Sequence, residues 1–150
     1  MPRIERVAEV SWEGNVARGA GALTAASSGA FSGLPYSLAS RIGSPEGRTS
    51  PEELLAAAQG GCFTMSLATE LSQAGTPPER LDVRVVVVMD EVAGEGHRVV
   101  SSHLAVRGRV PGIDAAGFAR ATEAADAGCP LSALVRASAT VTVEQTLEAG

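Results

Sequence analysis

The chain has 150 residues, 45% of them hydrophobic, with 12 basic and 17 acidic residues and a net charge of −5. That length supplies one core and is short for two, so a single domain over residues 1–150 is expected. The acidic balance, with no basic cluster to meet phosphates, argues against a nucleic-acid partner. No apolar run resembles a secretory leader or approaches a membrane span, so the expectation is a cytoplasmic protein without a membrane partner. In such a reducing compartment the two cysteines, Cys62 and Cys129, are not expected to form a permanent staple; they are inert core thiols or working ones.

In chain order, Val7 to Trp12 alternates polar and apolar, Glu13-Gly14-Asn15 supplies a turn, and Arg18 to Ala26 returns, which predicts an N-terminal hairpin. Leu34 to Leu38 reads as a short extended piece and Ile42 to Arg48 as a loop. Thr49-Ser50-Pro51-Glu52-Glu53 is a strong helix start, with Ser50 as N-cap, Pro51 as first helical residue and Glu53 as the reciprocal partner of a capping box. Apolar and small residues continue to Gly75 and Pro77-Pro78, predicting a buried helix of about 24 residues. Leu81 to Val92 holds Val85-Val86-Val87-Val88, too apolar for a one-sided surface strand, and pairs through Gly94-Glu95-Gly96 with Val99 to Val110. Asp114 caps a second helix that ends at Gly128, Pro130 to Val135 fits a short helical turn, and Ser138 to Leu147 is a last strand. Hairpins in place of regular βαβ crossovers indicate an α+β fold.

Cys62 lies mid-helix behind Gly60-Gly61, each glycine costing on the order of 1 kcal/mol there relative to alanine. Close approach by another helix or a ligand would explain them; a small core hydrophobe is the plainer reading of Cys62. Cys129, in Gly128-Cys129-Pro130 between two helices, is the better placed of the two to gain from backbone N–H groups, so a nucleophilic Cys62 needs a cation brought by tertiary structure. At about 100° per residue, Glu52 falls about 80° from Cys62 around the helix and Glu53 on the opposite face, which makes Glu52 the better candidate for the cysteine's side. His97 and His103 read as solvent-edge histidines, and no metal spacing is recognisable.

Ser11-Trp12-Glu13-Gly14, Pro35-Tyr36 followed by Arg41, Thr49 to Leu54, Ala58 to Met65, Pro111 to Ala115 and Ala127-Gly128-Cys129-Pro130-Leu131-Ser132 together resemble the OsmC/Ohr family, on its OsmC branch. The likeness runs from about Trp12 to Val143. It implies an α+β intertwined homodimer, with antiparallel sheets around two long central helices and sites at the interface. It also implies a thiol-dependent peroxidase acting on organic hydroperoxides and on hydrogen peroxide. Cys62 would be the peroxidatic and Cys129 the resolving cysteine, Arg41 the catalytic arginine and Glu52 its carboxylate partner, with Arg18 the runner-up for the arginine because the Ohr branch draws its arginine from the N-terminal hairpin region. No metal or cofactor is implied. An external dithiol would close the cycle, and the Ohr branch uses a lipoylated partner for this. The alternative is a non-catalytic, stress-associated protein binding a small apolar ligand, separable by whether hydroperoxide consumes the thiols.

Overall fold

A computed structural model describes residues 2–149, which form two compact units, one ending at Leu54 and the other beginning at Leu55. The first contains β1 (Glu9–Glu13), β2 (Ala20–Thr24) and β3 (Leu34–Tyr36), an antiparallel sheet in that order. Gly21 stands opposite Trp12 on one side and Tyr36 on the other. The two rings close over it, 5.6 Å apart and tilted by 58°. A Cβ at Gly21 would lie 2.3 Å from the tyrosine ring, so only glycine lets this aromatic pair form; such pairs contribute about 0.5–1.5 kcal/mol beyond their buried area.

Tyr36 leads directly into a short helix that the sequence reading does not anticipate, α1 (Leu38–Ile42). Its signal is Ser37 and Ser40: the Ser37 hydroxyl accepts from the Ser40 N–H at 3.1 Å, and the Ser40 hydroxyl from the Ser37 N–H at 3.0 Å. Serine in both roles of a capping box hides the motif, because glutamate or glutamine is the usual third-position partner. Helix α2 (Pro51–Gln73) starts at Pro51 as expected, Ser50 Oγ accepting from the Glu53 N–H at 3.2 Å, but the expected reciprocal half of the capping box, Glu53 back to the Ser50 N–H, is not made. The Glu53 carboxylate takes the Thr49 hydroxyl, at 2.9 Å.

The second unit holds the rest of α2, then β4 (Arg80–Val92), β5 (Gly96–Arg109), α3 (Ala115–Gly128), α4 (Pro130–Arg136) and β6 (Thr140–Leu147). β4 and β5 form the expected hairpin, with Gly94 at positive φ in its turn and a bulge between Val88 and Met89. Asp114 caps α3, its Oδ1 accepting from the Gly117 N–H at 2.7 Å. The expectation of purely antiparallel sheets is corrected here: β6 pairs parallel to β5. The connection through α3 and α4 is long enough to return the chain to the end where β5 began, which a hairpin turn cannot do.

The core of this unit is built on Phe63, Leu67 and Leu71, one stripe of α2 at four-residue spacing, packed with Leu104 and Val106 of β5, Phe118 of α3 and Cys129. Complete burial of each Leu or Phe stabilises by about 1.5–3 kcal/mol. Of the expected buried helix, that stripe is what is buried within the single chain. Ala57, Ala58, Gly61 and Met65 are exposed, Met65 at 74%. β4 likewise alternates, leaving Val86 and Val88 on an uncovered face, because the core covers one side of each element. Among the described residues the result is a mixed α+β architecture of four helices and two three-stranded sheets. Among the described residues no helix is long and apolar enough to cross a membrane.

Candidate functional site

The second unit brings the two cysteines together. Cys62 is half-buried on α2, Cys129 is fully buried between α3 and α4, and both are reduced. Cys62 packs against the core cluster that contains Cys129, and Cys129 is near enough to act on its thiol. Helix α4 explains why Cys129 sits there: it is the N-cap, Pro130 is the first helical residue, and the Ser132 N–H donates to Cys129 Sγ at 3.4 Å. The backbone N–H of the neighbouring Leu131 acts on Cys62, working to lower its pKa. For Cys62 that backbone N–H favours the thiolate, but it is insufficient. Burial and the adjacent Cys129 push its thiol above the usual cysteine value despite the Leu131 donor.

The first unit builds a second pair. Arg41, in the last turn of α1, grips Glu52, in the first turn of α2, with Nε at 3.0 and 3.1 Å from the two carboxylate oxygens and Nη2 at 2.5 Å from Oε1. This is the forked geometry that fixes a guanidinium's plane. Burial works to raise the Glu52 carboxyl, but the hydrogen bonds and charge of Arg41 and a backbone hydrogen bond outweigh it and hold the group below the usual carboxylate range. Arg41 in turn is raised by its hydrogen bond to Glu52, against a smaller effect of burial. Glu53 turns to Thr49 instead.

Arg18 lies in the exposed turn after β1, its backbone N–H bound to Asn15 Oδ1 at 2.9 Å. His103 Nδ1 meets the Thr142 hydroxyl at 2.6 Å on the exposed side of β5, and His97 is exposed. Among the described residues no cluster of His, Cys, Asp or Glu is arranged to hold a metal ion.

Residues 43–144 match the family model described as OsmC-like protein. The chain belongs to the OsmC-like family. It is 36% identical over 138 residues to the peroxiredoxin OsmC of Escherichia coli K12 and equally to that of Shigella flexneri, covering 92% of this chain and 94% of each relative. Among solved structures it is similar to an OsmC-like protein of unknown function from Vibrio cholerae (TM-score 0.78, 16% identity, 96% of this chain and 100% of the other). It is also similar to the organic hydroperoxide resistance protein OhrB of Bacillus subtilis (TM-score 0.73, 21% identity, 93% and 98%). The OsmC-like match includes Glu52, Cys62 and Cys129; Arg41 lies just before it.

One polar side chain of this OsmC-like chain escapes the sequence reading. Gln59 is fully buried one turn before Cys62, accepting from the Ser102 hydroxyl at 2.5 Å and donating to Ser132 Oγ at 3.2 Å. An amide buried without such partners would cost about 1–3 kcal/mol. Its available signal was a long polar residue set among Ala56-Ala57-Ala58 and Gly60-Gly61.

Proposed function

We propose that this protein is a cytoplasmic thiol-dependent peroxidase that reduces organic hydroperoxides, and hydrogen peroxide, through Cys62 and Cys129. The observation that carries the reading is the proximity of two reduced thiols from distant parts of one chain, in one core cluster at the first turn of α4. The 36% identity to the E. coli protein called peroxiredoxin OsmC supports the same activity.

The Cys62 thiolate attacks the distal peroxide oxygen. An S–O bond forms, the O–O bond breaks, and the departing alkoxide takes a proton to leave as the alcohol. Cys62 is then a sulfenic acid, and condensation with Cys129 gives a disulfide and water. An external dithiol, of which a lipoylated protein is one example, reduces the disulfide by thiol exchange. Arg41, oriented by Glu52, is the cation that offsets the raised Cys62 thiol and meets charge developing on the leaving oxygen. A homodimer fits the uncovered small-residue face of α2 around Gly61 and Met65.

The test follows consumption of hydrogen peroxide and of an alkyl hydroperoxide side by side, with a dithiol as reductant. Catalytic turnover, faster with the alkyl substrate, is expected. Absence of turnover with both thiols intact would replace the peroxidase by a protein that only binds small molecules.

A further inference from the structure

Gln59 takes no part in the chemistry just described, yet it is a polar side chain without solvent exposure in the middle of α2. Its amide is held at both ends. Ser102 of β5 donates to Oε1 at 2.5 Å, and Nε2 donates to Ser132 Oγ of α4 at 3.2 Å, so one side chain ties three elements.

The attachment point on α4 is specific. Ser132 is the residue whose own N–H donates to Cys129 Sγ at 3.4 Å, and the backbone N–H of the preceding residue, Leu131, is near enough to Cys62 to act on its thiol. Gln59 and Cys62 are three residues apart on α2 and therefore share a face. The amide and the thiol address the same turn of α4, Gln59 through the Ser132 side chain and Cys62 through the Leu131 backbone.

We propose that Gln59 is a positioning residue for disulfide formation: anchored to β5 by Ser102, it holds the first turn of α4 by Ser132 and so keeps Cys129 Sγ within reach of the Cys62 sulfur. This rests on the two-cysteine reading above. In the step concerned, the Cys129 sulfur attacks the sulfur of the Cys62 sulfenic acid. The S–S bond forms as the S–O bond breaks, and the hydroxyl leaves as water with the proton that Cys129 gives up. The step requires two sulfurs in line at contact distance. Attack by peroxide on Cys62 requires only one of them, so loss of the tie separates the two steps. An amide that served stability alone would leave their ratio unchanged.

The experiment mixes the full-length protein rapidly with an alkyl hydroperoxide, quenches at intervals, and measures dimedone-trapped Cys62 sulfenic acid and the disulfide by mass spectrometry. The wild-type protein should pass to disulfide with little trapped intermediate. In Gln59→Met, similar in size but without the amide, Cys62 oxidation should stay within about twofold of wild type while disulfide formation slows about tenfold or more, as misplacement of reacting groups does. Sulfinic acid should then appear at lower hydroperoxide concentrations. If Gln59→Met does not fold, Ser132→Ala decides, since it removes the tie and keeps both α4 donors; the same slowing is expected. A folded deciding variant that closes the disulfide at the wild-type rate overturns the proposal. Failure of the wild-type protein to lose thiols at all overturns it too, and is distinguishable because it removes the peroxidase reading itself.

Discussion

The Cys62 and Cys129 thiols are neighbours in one core cluster, Cys62 half-buried in the middle of α2 and Cys129 fully buried at the start of α4. Only Cys62 has solvent access, so it is the sulfur a hydroperoxide can reach. Cys62→Ser should abolish peroxide consumption. Cys129→Ser should react once and stop at a Cys62 sulfenic acid that dimedone labels. Labelling of Cys129 in the Cys62→Ser protein, with turnover retained, would reverse the two roles.

Arg41 supplies a pH signature. The raised Cys62 thiol stays largely protonated at neutral pH unless a cation assists it. Arg41→Ala should therefore lower the neutral-pH rate about tenfold or more and move the rising limb of the pH profile upward, each unit of pKa being tenfold in thiolate. Arg41→Lys keeps the charge but not the fork, and should fall between. Profiles that coincide with wild type would remove Arg41 from the reaction.

Glu52 makes a prediction about stability. Its folded-state carboxyl lies below the ordinary value, so the ion pair contributes above the unfolded-state pKa and that contribution is lost as pH falls through the folded value. Glu52→Gln should flatten the acid limb of stability against pH. Arg41 is 37% exposed, so solvent screening keeps the contribution within about 1 kcal/mol. Urea unfolding at a series of acidic pH values measures the difference between the two limbs.

The two helix glycines should behave differently. A Cβ at Gly60 would lie 3.0 Å from Val85 Cγ2, whereas one at Gly61 meets nothing within 4 Å in the single chain. Gly60→Ala must push Val85 aside. In an isolated chain Gly61→Ala would gain about 0.5–1 kcal/mol of helix stability. If the proposed homodimer packs α2 against α2 there, Gly61→Leu should overpack the contact, at about 1–3 kcal/mol, and weaken assembly and activity. Sedimentation of the wild-type and Gly61→Leu proteins tests this; a monomeric, active wild type would refute the dimer.

Where local chemistry dictates structure, the sequence was readable. Ser50-Pro51 announced α2, Asp114 announced α3, and the alternation of Val99 to Val110 announced β5, each through interactions closed within a few residues. Helix α1 was missed because Ser37 and Ser40 share one unusual cap, and the parallel return of β6 was missed because strand direction depends on the path of α3 and α4. At the site, the roles of Cys62, Cys129, Arg41 and Glu52 came from a resemblance, and their local pairings required the fold. Gln59 stands out in its segment as a polar residue among alanines and glycines, but its partners lie on β5 and α4, and nothing in that segment points to them.

The most direct test of the account counts thiols before and after one equivalent of alkyl hydroperoxide, and maps the peptides of the product without reduction. Loss of both thiols, with a single cross-link joining Cys62 to Cys129 of the same chain, is the expected result. Retention of both thiols, or a cross-link that joins Cys62 of one chain to Cys62 of another, would contradict it.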